Sequence, residues 1–152
     1  MNFSVTKALL VSLCIATALA RSAAAQGSAR DALKSRTFRC GFNKAAVLDL
    51  NAADARFELV SDSVELALDV AADSKSGRLI GVLGAADVSV FRQTAAVTAV
   101  EYTNIGTAHV LTIFSRWGKP GLLQAYYVRT VSPIGEAPPI VSLVAGSCRP
   151  LK

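Results

Sequence analysis

The sequence predicts an all-β domain: a single antiparallel barrel or sandwich of eight to nine short strands, with the first and last linked by a disulfide. Three observations carry this. Past residue 36 the chain consists of short runs rich in Val, Ile, Phe, Tyr and Thr, divided by Gly, Pro, Asn or Asp clusters. Several of these runs alternate apolar and other residues with period two, the signature of a strand with one face buried. No long stretch of helical period interrupts them.

The chain opens on what reads as an export signal. Met1–Lys7 carries one positive charge and no acid, and Ala8–Ala20 is a run of apolar and small residues. That run is shorter than the roughly 20 residues a bilayer core requires. Ala23-Ala24-Ala25 then supplies a small-x-small cleavage signature before Gln26. Residues 1–25 are therefore expected to be a cleaved signal peptide, with a cut after Ala20 as the alternative. Cys14 does not fit a lipoprotein site, because Leu13 stands where a small residue is needed. Residues 26–35 lack apolar periodicity and read as a flexible N-terminal arm or a short helical turn. Residues 36–152 read as one β domain of ordinary size. The mature form is expected to be periplasmic or secreted, without a transmembrane segment.

Removal of the signal leaves two cysteines, Cys40 and Cys148. An even count in an oxidising compartment points to a disulfide, and two partners allow one connectivity. In the chain-entropy account a loop of this length contributes about 4–5 kcal/mol. It also requires the first and last strands to meet. End-to-end linkage favours the barrel, because closure makes those strands neighbours, although a sandwich could bridge its two sheets in the same way.

The strands follow in order. Thr37–Phe42 places Phe38, Cys40 and Phe42 on one face. Ala45–Leu48 and Arg56–Val60 read as two strands around a turn at Asn51–Ala55, although Asn51 or Asp54 could instead cap a short helix. Val64–Val70 alternates Val64, Leu66, Leu68 and Val70 against Glu65, Ala67 and Asp69. A polar turn at Asp73–Gly77 leads to Arg78–Leu83. Asp87–Phe91 and Ala95–Thr103 follow, the latter with Val97, Ala99 and Glu101 on one face. After a turn at Asn104-Ile105-Gly106, His109–Ser115 is so apolar and β-branched that both its faces are expected to be covered. Gly118-Lys119-Pro120-Gly121 turns into Leu122–Val131. Ser132–Pro139 holds three prolines and cannot pair as a central strand. Ile140–Gly146 is the last strand and delivers Cys148.

Charge is segregated along the chain. Residues 26–48 hold Arg30, Lys34, Arg36, Arg39 and Lys44 against Asp31, and residues 102–152 hold five bases against Glu136. The middle, residues 49–101, holds nine acids against four bases. The disulfide would bring the two basic ends together and present a basic face to an anionic glycan, a lipid headgroup or an acidic exported protein. A nucleic-acid role is not expected, since the compartment is wrong and no recognition fold is visible.

Arg78–Val88 (RLIGVLGAADV) is similar to a stretch in an uncharacterised family of small exported bacterial β-rich proteins. The likeness continues through an aliphatic strand such as Val97–Thr103, a strand such as His109–Ser115, and a terminal Gly146-Ser147-Cys148. It covers about two thirds of the mature chain. This chain departs from the pattern at Ser115-Arg116-Trp117, where the family has Ser-Arg-His. The resemblance implies export, paired cysteines and a compact β domain, and it brings no activity.

No motif supplies chemistry. His109 and Ser115 share a face but stand about 20 Å apart along the strand, too far for a nucleophile–base pair. One histidine and two engaged cysteines leave no zinc site, and the aspartates Asp49, Asp54, Asp69 and Asp73 match no calcium loop. Glu65 and Glu101 could face each other across a barrel mouth as a hydrolase would need, although two solvated strand residues explain them equally well. The strongest binding candidate is the turn at Arg116, Trp117 and Lys119, extended by Tyr127 and Arg129 on the next strand: an aromatic face flanked by cations. Trp117 could instead fold inward and plug a barrel end. The expected role is thus a non-enzymatic exported domain, without cofactor or metal, that binds an envelope component or another exported protein. The alternatives are a small-ligand carrier of lipocalin type, which needs a hollow interior, and a hydrolase with acids at the mouth. An inhibitor of a cell-wall lytic enzyme fits less well, because no Ser-Gly-rich inhibitory loop is present.

Overall fold

The computed structural model describes residues 28–49, 56–61, 63–82, 84–103, 106–131 and 140–151. The expected signal segment, the expected turn at Asn51–Ala55, Asn104-Ile105 and the proline-rich stretch 132–139 lie outside these residues. The strands are β1 (Thr37–Asp49), β2 (Arg56–Val60), β3 (Val64–Val70), β4 (Ser76–Gly81), β5 (Gly84–Arg92), β6 (Ala96–Tyr102), β7 (Ala108–Lys119), β8 (Leu122–Val131) and β9 (Ile140–Leu151).

Every pairing is antiparallel, and β3 to β9 follow one another as a meander. The first strand closes the sheet on itself. One edge of β1 pairs with β9, from Thr37↔Leu151 to Asp49↔Ile140. Its other edge is shared. Thr37–Phe42 pairs with β3, and Ala45–Asp49 pairs with β2. The result is a closed eight-strand barrel with β2 as one extra strand, so the barrel is realised and the sandwich is not. Closure removes the exposed backbone edges that an open sheet would carry.

The disulfide lies on the closing seam. Cys40 is the register partner of Cys148, and their sulfurs are bonded across a sequence separation of 108. Both side chains are buried. Next along the seam the strands approach unusually closely at Gly146. A Cβ there would stand 2.2 Å from the Gly41 carbonyl oxygen and 2.7 Å from the Phe42 Cα. Only glycine fits at this position.

Period-two patterning builds the core as expected. Phe38, Cys40 and Phe42 of β1, Leu68 and Val70 of β3, Val88 and Val90 of β5, and Val97 and Ala99 of β6 point inward and are buried. Leu111, Ile113, Leu123, Ala125, Tyr127 and Val144 complete the interior. A bulge between Phe42 and Lys44 shifts the parity of β1, so Ala45 rather than Lys44 continues the buried face.

One end of the barrel is covered. Residues 28–32 form a short helical turn, and Ala29 and Leu33 are buried against the core. Arg92 ties this turn down. Its guanidinium donates to the carbonyls of Leu33 and Ser35, the latter at 2.8 Å. Of the two readings of residues 26–35, the flexible arm gives way to the short helical turn over the described residues 28–35: two apolar side chains one helical turn apart give the segment a reason to dock. Among the described residues no helix is long and apolar enough to cross a membrane.

Candidate functional site

The opposite end of the barrel holds the polar cluster. Antiparallel register sets it out strand by strand. Glu101 of β6 is opposite His109 of β7, His109 is opposite Arg129 of β8, and Arg129 is opposite Ser142 of β9. These residues share the inward parity of Ala99, Leu111, Tyr127 and Val144, one step nearer the rim. The core row is apolar and sealed, and the rim row above it is polar.

Glu101 and His109 form a pair. The His109 Nδ1–H donates to Glu101 Oε2 at 2.7 Å, and the two side chains keep only 20% and 16% exposure. The second ring nitrogen, Nε2, is buried without a hydrogen-bond partner. Tyr127 lies beneath, with its ring centroid 5.8 Å from that of His109 and 6.0 Å from that of Phe42. Burial pushes the Tyr127 phenol above the usual tyrosine range. Arg129 pulls it down and Glu101 pushes it up, so both charges reach the phenol electrostatically.

A cleft of about 510 Å³ opens at this mouth. Leu66, Leu79, Ala86, Tyr127 and Val144 contribute its apolar wall, Glu101, His109, Arg129 and Ser142 its polar rim, and Ser63 and Glu65 also border it. The wall is incomplete on one side. β5 pairs with β6 only from Ser89 to Arg92, so the Gly84–Val88 half of β5 leaves its neighbour and opens the mouth. The β4–β5 connection overhangs it, with Val82 91% exposed. A second concavity of about 620 Å³ lies outside the barrel, over Asn43, Lys44, Lys119 and Gln124. Phe42, Val64 and Leu122 also line it, and it shares Ser63, Val64 and Glu65 with the mouth cleft.

The five residues grouped from the sequence as a binding patch divide between the two ends. Tyr127 and Arg129 line the mouth. Arg116, Trp117 and Lys119 sit at the far end of β7, where Trp117 is opposite Leu123 and Lys119 opposite Leu122. Arg129 is about 20 Å along β8 from Leu123. Arg116 and Lys119 are exposed, whereas Trp117 is half-buried and packed against the core cluster. Register shifts on both sides of Trp117 turn its ring toward the barrel. The structure thus brings Trp117 to the inward position weighed beside the binding reading.

The two acids considered for hydrolysis both border the mouth cleft, but they differ in parity. Glu65 has the outward parity of β3 and is opposite Gly41, and both are exposed. Glu101 points inward and is engaged by His109. That engagement had a sequence signal that went unused: residues 101 and 109 are equidistant from the Asn104-Ile105-Gly106 turn, so a hairpin there makes them cross-strand partners. The approach of Arg129 and Ser142 depends on long-range register and has no local signal. Among the described residues no group of three or more His, Cys, Asp or Glu gathers into a metal-binding set.

Comparison with family models, with curated proteins and with solved structures finds no match.

Proposed function

We propose that this barrel holds a small, mainly apolar molecule in its open mouth and acts as a carrier rather than a catalyst. One observation carries the reading: an apolar cleft of about 510 Å³ at the end of the barrel that the N-terminal turn leaves free. Ligand sites are typically concavities of about 300–1,000 Å³ with apolar walls and a few convergent polar groups. The interior below Tyr127 is filled, so the ligand sits at the mouth. The paired cysteines and the apolar leader support a place of work in the periplasm or outside the cell. The likeness of Arg78–Val88 to small exported proteins agrees with that.

The test is titration of the folded, oxidised protein with the neutral fluorophore 1-aminoanthracene. Saturable binding is expected, and Ala86→Phe, which fills the wall of the cleft, should weaken it at least tenfold while the circular dichroism spectrum is retained. No saturable binding, or equal binding by both proteins, would refute the carrier reading.

A second reading has its own observation. Arg39 of β1 and Arg149 of β9 are direct register partners and both are exposed. The seam therefore joins the two basic ends, and like charges held side by side favour an anionic partner such as a glycan, a lipid headgroup or an acidic exported protein. Retention on immobilised heparin should fall in Arg39→Ser/Arg149→Ser if this face binds, and unchanged retention would remove it.

A further inference from the structure

We infer that the mouth selects a ligand whose apolar body ends in a single carboxylate, with Arg129 as its anchor; this rests on the carrier reading above. The argument compares the charges on the rim. Glu101 is already engaged, since one carboxylate oxygen accepts the His109 Nδ1–H at 2.7 Å. Arg129 lines the same cleft, and among the described residues its guanidinium has no hydrogen bond or ion pair. The inward-facing rim thus offers an unengaged cation and an engaged anion; Glu65 also borders the cleft, but it has the outward parity of β3 and is exposed.

Among the described residues, the acids sharing a register row with Arg129 stand back from it. Glu101 is two strands from Arg129, about 10 Å at ordinary strand spacing. Glu58, in the same register row through Val47 and Ser142, is three strands away, about 14 Å. An anionic head meets the Arg129 guanidinium at contact distance and the His109-engaged Glu101 only from about 10 Å. The planar guanidinium also matches a carboxylate bidentately.

Geometry sets the polarity of the bound molecule. Tyr127, Val144, Leu66 and Leu79 lie below the rim and accept only an apolar body. The head must then lie at the level of Arg129. A cationic head at the level of Arg129 would find Glu101 occupied and Arg129 repelling it, and Glu65 has the outward parity of β3.

The experiment compares decanoate with decan-1-ol by isothermal titration at pH 7 and low salt, below the micellar concentration. The readout is the ratio of their affinities in wild type, Arg129→Lys and Arg129→Gln. Wild type should favour decanoate about tenfold, as expected for charge-assisted hydrogen bonds at an open site. Arg129→Lys should keep part of that preference, and Arg129→Gln should bring the ratio close to one. A wild-type ratio near one, or a preference that survives unchanged in Arg129→Gln, overturns the carboxylate inference and leaves the carrier standing. Failure of both molecules to bind any of the three proteins overturns the carrier reading itself.

Discussion

Tyr127 is the residue on which core and mouth meet. Its ring packs against Phe42 below and His109 above, and its phenol faces the cleft. Burial raises its pKa, so the folded state holds the phenolic proton more tightly than the unfolded chain does. A folded pKa above the unfolded value of about 10 gives stability that is fully present below pH 10 and is lost as pH rises through the folded value. Denaturant melts between pH 9 and 11.5 should therefore show stability falling above about pH 10. In Tyr127→Phe the decline should be shallower, because the titrating group is gone. An identical slope in both proteins would mean that the phenol is not held as described.

At the scale of elements, two local devices decide the shape. Arg92 on β5 holds the N-terminal turn against the barrel through two carbonyls, at the cost of desolvating its guanidinium, which lowers its pKa. Arg92→Met keeps the stem and deletes both bonds. It should cost about 1–3 kcal/mol, the range for hydrogen bonds to charged groups. Hydrogen exchange should show residues 29–35 losing protection before the strands do. Gly146 on β9 lets the seam close. Gly146→Ala forces a methyl into the Gly41 carbonyl and the backbone of Phe42. Destabilisation of about 2 kcal/mol or more is expected, since β9 must move away from β1.

Elements with one buried face were legible in the sequence, and the others were not. β3 and β8 have the limits the alternation gives, because a slip of one residue would turn Leu68 or Tyr127 outward. The alternation divides β1 into two strands, Thr37–Phe42 and Ala45–Leu48, whereas it is one strand to Asp49. The bulge between Phe42 and Lys44 breaks the alternation there. β7 was read as ending at Ser115 for the same reason, since parity fails around Trp117. β4 begins earlier than read, because the Asp73 carboxylate accepts the backbone N–H groups of Lys75 and Ser76 and tightens the turn. At the site, parity puts Tyr127 and Arg129 on one face, and Glu101 on the face of Val97 and Ala99. It could not tell which end of the barrel each reached, and so Arg129 was joined to Trp117.

On the scale of the whole molecule, closure depends on the pairing of the first strand with the last. The Cys40–Cys148 bond spans a separation of 108 residues. The chain-entropy relation gives a loop of that length about 4–5 kcal/mol, and measured losses on removing such bonds run about 2–5 kcal/mol. Cys40→Ala/Cys148→Ala should thus lower unfolding stability by about 2–5 kcal/mol in urea. A loss below about 1 kcal/mol would show that the strand pairing alone secures the seam. This closure was only half legible in sequence. Two cysteines announced that the ends meet, but a bond between facing sheets would have left the same residues.

The pairing of β1 with β9 bears on how the chain comes to be folded. Whatever releases this polypeptide from its N-terminus, whether ribosome or translocase, lets β9 out last. Until then β1 and β8 each offer a raw edge, and the half-made meander has no lumen for Arg129 and His109 to guard. The decisive contacts span almost the full length of the chain, a topology that folds slowly. A transcript truncated before codon 140 would therefore yield an unsealed sheet with two sticky margins, not a smaller version of the same vessel.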